Sequence, residues 1–137
     1  IWPNIEQLAH HLKKINDRRE LVAFDHELLT WAMSELGRDS ISAELIDVRS
    51  LVPLDEETIL ASVRKTGRVV IAHEAARTCG YGAEIAAIIA EKAIEYMEGP
   101  IVRVAGFDTV FPLAKSEHHY LPSRNRIVAA AKSVLSF

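Results

Sequence analysis

Cysteine is nearly absent from this chain: Cys79 is the only one in 137 residues. A single thiol forms no internal disulfide, so stability must rest on packing, and a reducing compartment suits the chain. Long apolar runs are also missing. None reaches the ~18 residues that cross a bilayer. No charge of one sign dominates, because 16 basic residues face 19 acidic ones for a net charge of −3. That balance removes any general electrostatic reason to bind nucleic acid or an anionic membrane. Residues 1–20 carry Glu6, two histidines and several Lys and Arg. They lack the apolar stretch of a secretory signal, so a cytoplasmic or mitochondrial-matrix location is expected. There is no internal repeat, low-complexity tract or linker. The first residue is Ile1 rather than Met, as expected of a fragment or a processed piece.

What is present is an ordinary globular composition, with 49% apolar and 26% charged residues. The length allows one domain with a real core. Asn4 with Gln7 makes a capping-box-like start for a helix over residues 4–17. Leu21–Phe24 reads as a first strand. Helical spacing then runs from His26 to Leu36, with Gly37 as its stop. Ser42–Val48 is the next strand. Asp55 opens a helix over Glu56–Thr66, acidic in its first turn and basic in its last, closed by Gly67. Val69–Ala72 is a strand, Ala83–Tyr96 a helix, Ile101–Ala105 a strand, and Arg124–Ser136 a final helix. Residues 106–123 read mostly as loop. Short apolar strands alternating with amphipathic helices predict a three-layer α/β domain: a mainly parallel sheet with helices on both faces.

Several residues invite chemistry. His73 and Glu74 stand where the third strand is expected to end, the place where open α/β sheets gather ligand contacts. They are expected to form a structural pair at a subunit interface. Gly80 and Gly82 precede a helix and have the look of an anion-binding turn, but lack the further motif of a dinucleotide or phosphate loop. Close packing of helix on strand is the expected reason for them. His118 and His119, like His10 and His11, are adjacent. Adjacent rings are expected to diverge, and no third ligand is spaced for a metal. Cys79 has no neighbour that would activate it and is expected to be buried and inert. From Ala83 to Ala90 only Glu84 is polar. Burial all round is expected there, and with it a partner surface beyond the sheet.

Five segments, in order, carry a resemblance over residues 41–137. They are Ser-Ala-Glu-Leu-Ile-Asp-Val-Arg-Ser-Leu-Val-Pro-Leu-Asp (42–55), Lys-Thr-Gly-Arg-Val-Val-Ile-Ala-His-Glu-Ala (65–75), Thr-Cys-Gly-Tyr-Gly-Ala-Glu-Ile (78–85), Gly-Pro-Ile-Val-Arg-Val-Ala-Gly-Phe-Asp-Thr-Val-Phe-Pro (99–112) and the final Lys-Ser-Val-Leu-Ser-Phe. Together they resemble the C-terminal domain of the transketolase family, nearest to the β subunit of the 2-oxo acid dehydrogenase decarboxylating component. The third and fourth segments lean toward branched-chain enzymes over pyruvate enzymes. Residues 1–40 match less well, and the whole of 1–137 is treated as one domain.

The resemblance implies a part in a thiamine-diphosphate- and Mg-dependent enzyme whose cofactor is held by other domains. This chain then contributes no catalytic, cofactor-binding or metal residue and is inactive alone. Its implied partners are a second β subunit, the α subunit, and the peripheral-subunit-binding domain of the dihydrolipoyl acyltransferase. Glu98 matches an acidic position that receives basic residues of that binding domain, and Phe137 matches a second contact. His73, Glu74, Gly80, Gly82, Glu84 and Asp108 are interface or secondary candidates. Two other readings stand beside this one. One is a self-contained small-molecule or nucleotide binder built on His73, Gly80 and Asp108. The other is an engineered or recombined chain without function.

Overall fold

The computed structural model describes residues 20–23 and 26–137, with side chains from Thr30 onward. The helix expected over 4–17, His10, His11 and Phe24 lie outside the described residues. The elements in order are β1 (Glu20–Ala23), α1 (His26–Arg38), β2 (Glu44–Asp47), α2 (Glu56–Thr66), β3 (Val69–Ala76), α3 (Tyr81–Ala93), a 3-10 turn (Ile94–Tyr96), β4 (Val102–Gly106), α4 (Glu117–Tyr120) and α5 (Arg124–Leu135). The four strands form one parallel sheet in the order β2-β1-β3-β4. Leu21 lies opposite both Leu45 and Val70, so β1 is an inner strand.

Alternation along β3 sends its side chains into two separate cores. Val70 and Ala72, with Val104, pack against Leu36 of α1 and Ile127, Ala131 and Val134 of α5. Val69 and Ile71 pack against Ile59 and Val63 of α2 and Ile85 and Ile89 of α3. Helices therefore cover both faces of the sheet, as the alternation of elements predicts. Ile71, Ile85, Ile89 and Ile127 are fully buried, each such burial contributing about 1.5–3 kcal/mol.

The helix ends show where local chemistry sets the boundaries. Asp55 accepts from the Thr58 amide at 3.1 Å and from its hydroxyl at 2.7 Å, capping α2. Gly67, at φ +65°, ends it with its amide on the Val63 carbonyl. α1 differs from expectation, because it runs through Gly37 to Arg38. Ser40 takes the left-handed position at φ 58°. The Ile41 amide then reaches the Leu36 carbonyl and the Ser40 amide reaches Gly37, a Schellman closure that uses serine where glycine is commoner.

β3 also differs. It continues past Ala72 to Ala76. Its register against β4 shifts between Ala72↔Val104 and Ala76↔Gly106, leaving two extra residues on β3. A bulge of this kind re-aims the strand at its carboxyl end. α3 begins at Tyr81, so Gly82 belongs to the helix rather than to the loop. No helix among the described residues is long and apolar enough to cross a membrane.

Candidate functional site

Two groups of candidate residues lie at opposite ends of the strands. The first sits at the carboxyl ends of β3 and β4. His73 is buried against the α2–α3 layer, while Glu74 is exposed. The two neighbours thus sit in different environments, one inside the domain and one facing water. The imidazole fills a cradle made by the glycines. A Cβ added to Gly80 would stand 2.6 Å from His73 Cε1, and one added to Gly82 would enter the ring edge. The space that would let a phosphate approach this turn is thus occupied by the protein's own side chain. Burial, aided by the nearby Arg103 cation, lowers the His73 pKa below its ordinary 6.5, while a hydrogen bond with the Ala75 backbone acts the other way. Burial thus favours the neutral form of the ring.

Asp108, on the loop after β4, clamps the loop after β3. It accepts from the Thr78 amide and from the Thr78 hydroxyl, each at 2.7 Å. These bonds, backbone first, hold its carboxyl below the usual range, and Arg77 and Arg103 add in the same direction. The two arginines cross over. Arg103 Nη1 donates to the Arg77 carbonyl at 2.8 Å, and Arg77 Nη1 to the Arg103 carbonyl at 3.3 Å. The Tyr81 hydroxyl donates to the Leu51 carbonyl at 2.7 Å, fastening the loop after β2 to the start of α3.

Gly106 permits a second close approach. A Cβ there would meet the Tyr120 ring, with Cζ at 2.7 Å, and the Glu74 carbonyl at 2.6 Å. Buried Tyr120 meets Phe111 edge-on at 5.0 Å between ring centres and Phe107 at 6.5 Å. The Arg126 guanidinium lies 4.8 Å from the Phe107 ring centre and donates to the Ala105 carbonyl at 2.7 Å. Beyond this knot the loop turns apolar groups to solvent: Phe107, Val110, Phe111 and Leu113 are all exposed.

Cys79 is exposed, not buried, and stands in a left-handed backbone conformation at φ 60°. The loop after the bulge turns outward there, carrying the thiol away from the core. His118 and His119 also depart from expectation. Their ring centres are 3.8 Å apart, because a single exposed helical turn lets the rings rest on each other. Among the described residues, no three His, Cys, Asp or Glu side chains gather to hold a metal. α3 is not buried all round. Gly82, Ile85, Ile89 and Ala93 face the core, while Glu84, Ala87 and Ala90 are exposed.

The second group lies at the amino end of β3, where α5 finishes. Arg68 Nε donates to the Val134 carbonyl at 3.0 Å, and its Nη1 donates to Glu98 Oε2. The Glu98 amide donates to the Gly67 carbonyl at 2.7 Å. A Cβ on Gly67 would stand 2.8 Å from Glu98 Cγ, so the glycine lets the acid's stem lie close. Gly99 follows, and a Cβ there would be 3.6 Å from the Phe137 Cβ. Gly99, the residue after Glu98, thus lies beside Phe137 at the end of α5. The Glu98 side chain is 63% exposed and Phe137 is 76% exposed.

Sequence reasoning did not single out Arg68, Thr78, Arg103 or Tyr120. Arg68 left a trace, since a cation directly before five buried strand residues needs a partner near the sheet edge. The others left none, because their partners are brought in by the β3–β4 pairing.

A family model described as "Transketolase, C-terminal domain" matches residues 26–127. The chain belongs to the transketolase C-terminal domain family. The match begins at α1, so it takes in part of the region before residue 41. The 2-oxoisovalerate dehydrogenase subunit beta of Pseudomonas aeruginosa is 54% identical over 104 residues, covering 76% of this chain and 29% of that protein. The pyruvate dehydrogenase E1 component subunit beta of Staphylococcus epidermidis is 46% identical over 106 residues, covering 77% and 33%. A solved structure titled "Split gene transketolase, inactive beta4 tetramer" superposes with a TM-score of 0.73 at 27% identity, covering 87% of this chain and 38% of that one. The chain therefore spans about a third of the length of the curated relatives it matches.

The described residues of this transketolase C-terminal domain do not fit thiamine diphosphate and its Mg. The only glycine turn before a long helix is filled by His73, Asp108 has both oxygens on Thr78, and no metal-ligand cluster forms.

Proposed function

We propose that this domain assembles and docks a thiamine-diphosphate-dependent 2-oxo acid dehydrogenase β subunit rather than carrying its chemistry. The whole enzyme would decarboxylate a 2-oxo acid, of branched-chain or pyruvate type, and pass the acyl group to lipoyl groups. The higher identity to the 2-oxoisovalerate relative supports the branched-chain side.

The observation that carries the docking role is the exposed Glu98 carboxylate at one end of the sheet, one residue before Gly99, which lies against the exposed Phe137. An exposed carboxylate and an exposed aromatic ring suit a basic partner. Charge-assisted hydrogen bonds supply specificity and on-rate, and the ring supplies apolar contact. The partner is the peripheral-subunit-binding domain of the dihydrolipoyl acyltransferase. Assembly with a second β subunit and the α subunit would use the other exposed apolar features, Ala87 and Ala90 of α3 and the Phe107–Leu113 loop. Contiguous apolar surface of this kind marks interaction sites. Of the residues on which a small-molecule site would rest, His73 packs against Gly80 and Asp108 has both oxygens on Thr78.

Sedimentation equilibrium of the chain, with and without the binding domain, tests both roles. The expected result is a self-associated species that takes up the binding domain, with uptake lost in Glu98→Ala. A monomer indifferent to the binding domain would overturn the proposal.

A further inference from the structure

We propose that Arg68 is a positioning residue for docking: it holds the Glu98 carboxylate in the orientation that a basic partner meets. The inference rests on the docking reading of Glu98. Arg68 is mostly buried while Glu98 is mostly exposed, with side-chain exposures of 23% and 63%. The guanidinium forks between two acceptors, the Val134 carbonyl and Glu98 Oε2. That fork fastens the acid to the last turn of α5, three residues before Phe137. The Glu98 backbone is fixed separately through Gly67. One carboxylate oxygen is occupied and Oε1 remains for an incoming cation. An exposed glutamate would otherwise lose rotamer freedom on binding, and holding it beforehand removes that loss.

Arg68 also repels a basic partner, and the two effects have opposite signs. Substitution by lysine separates them. An ammonium keeps the charge but lacks the planar fork, so it reaches one acceptor and not both. Arg68→Lys therefore retains the repulsion and loses the positioning. Arg68→Met loses both. The lysine variant should bind the acyltransferase binding domain roughly 3- to 10-fold more weakly than the parent, given typical ordering costs per side chain. The methionine variant should fall between them at low salt. At about 0.5 M salt, where the screening length is about 4 Å, the two variants should converge while both stay weaker than the parent.

The experiment is calorimetric titration of the 137-residue chain with the binding domain, for the parent, Arg68→Lys, Arg68→Met, Glu98→Ala and the Glu98→Ala/Arg68→Lys double variant. A urea melt of each shows that it is folded. The expected result is that the lysine substitution weakens docking in the parent and changes nothing further once Glu98 is alanine. An equal loss in both backgrounds would mean that Arg68 acts only by supporting the fold, and would overturn the proposal. Binding at parental strength by the lysine variant would overturn it as well. If Glu98→Ala itself docks normally, the docking reading fails and takes the proposal with it, an outcome distinct from the other two.

Discussion

The two ends of this sheet handle polar groups in opposite ways. At the carboxyl end, His73 is buried in a glycine cradle, Asp108 is saturated by Thr78, and Arg77 and Arg103 satisfy each other's carbonyls. At the amino end, Arg68 pairs with Glu98, whose side chain is largely exposed, and Phe137 is exposed as well. Open parallel sheets usually bind ligands at their carboxyl ends. Here His73, Asp108 and the two arginines at that end are engaged internally and its outer loop exposes apolar side chains, while the amino end exposes the Glu98 carboxylate. Fold position alone does not locate function. Whether the polar atoms are already satisfied is the better guide.

If the carboxyl end is a structural lock, damage there should appear as lost stability. Gly82→Ala should have the largest effect, because the added methyl enters the His73 ring. Overpacking of this kind costs about 2–3 kcal/mol, and urea unfolding will measure it. His73→Ala in the same chain should recover part of the loss, since the two changes share one contact. A neutral Gly82→Ala would break the comparison outright.

Acid should come next. His73 has a lowered pKa in the folded chain, so the unfolded chain binds more protons as the pH drops through 6.5. Stability present above that value should fall toward the folded pKa, with a slope of at most about 1.4 kcal/mol per pH unit. Comparing urea midpoints of the parent and His73→Gln between pH 7.5 and 5.5 isolates this contribution. A parallel pH profile for the two proteins would exclude it.

Asp108→Asn should act more locally. The side-chain amide keeps one acceptor but gives up the charge that strengthens two bonds to Thr78. Hydrogen exchange at the Thr78 amide should quicken, with the core strands unchanged. Glu98→Gln should have the smallest effect on stability, about 0.5 kcal/mol or less for an exposed ion pair, while reducing docking. Substantial destabilisation by that change would make the two ends alike and remove the contrast.

Legibility in the sequence followed the range of the interactions. α2 could be read to the residue because Asp55, Thr58 and Gly67 set its ends within their own turns. The layered α/β architecture was legible because buried strands and amphipathic helices differ in period. β3 was read too short, since its last residues pair across a bulge with Gly106, 30 positions away. The end of α1 was misplaced because Ser40, not Gly37, adopts the left-handed conformation. The individual candidates at both ends were visible, but not their companions. His73 and Gly82 were each noticed without their contact, and Glu98 without Arg68. Those links exist only once the strands are aligned.

The strand order has a consequence for how the chain is made. β1 and β2 can pair as soon as both have emerged. β3 then adds to the free edge of β1, and β4 to the free edge of β3. Each new strand meets an edge that earlier synthesis has already prepared, so no strand has to be inserted between two that are already joined. β1, paired on both sides, is the strand on which that order depends.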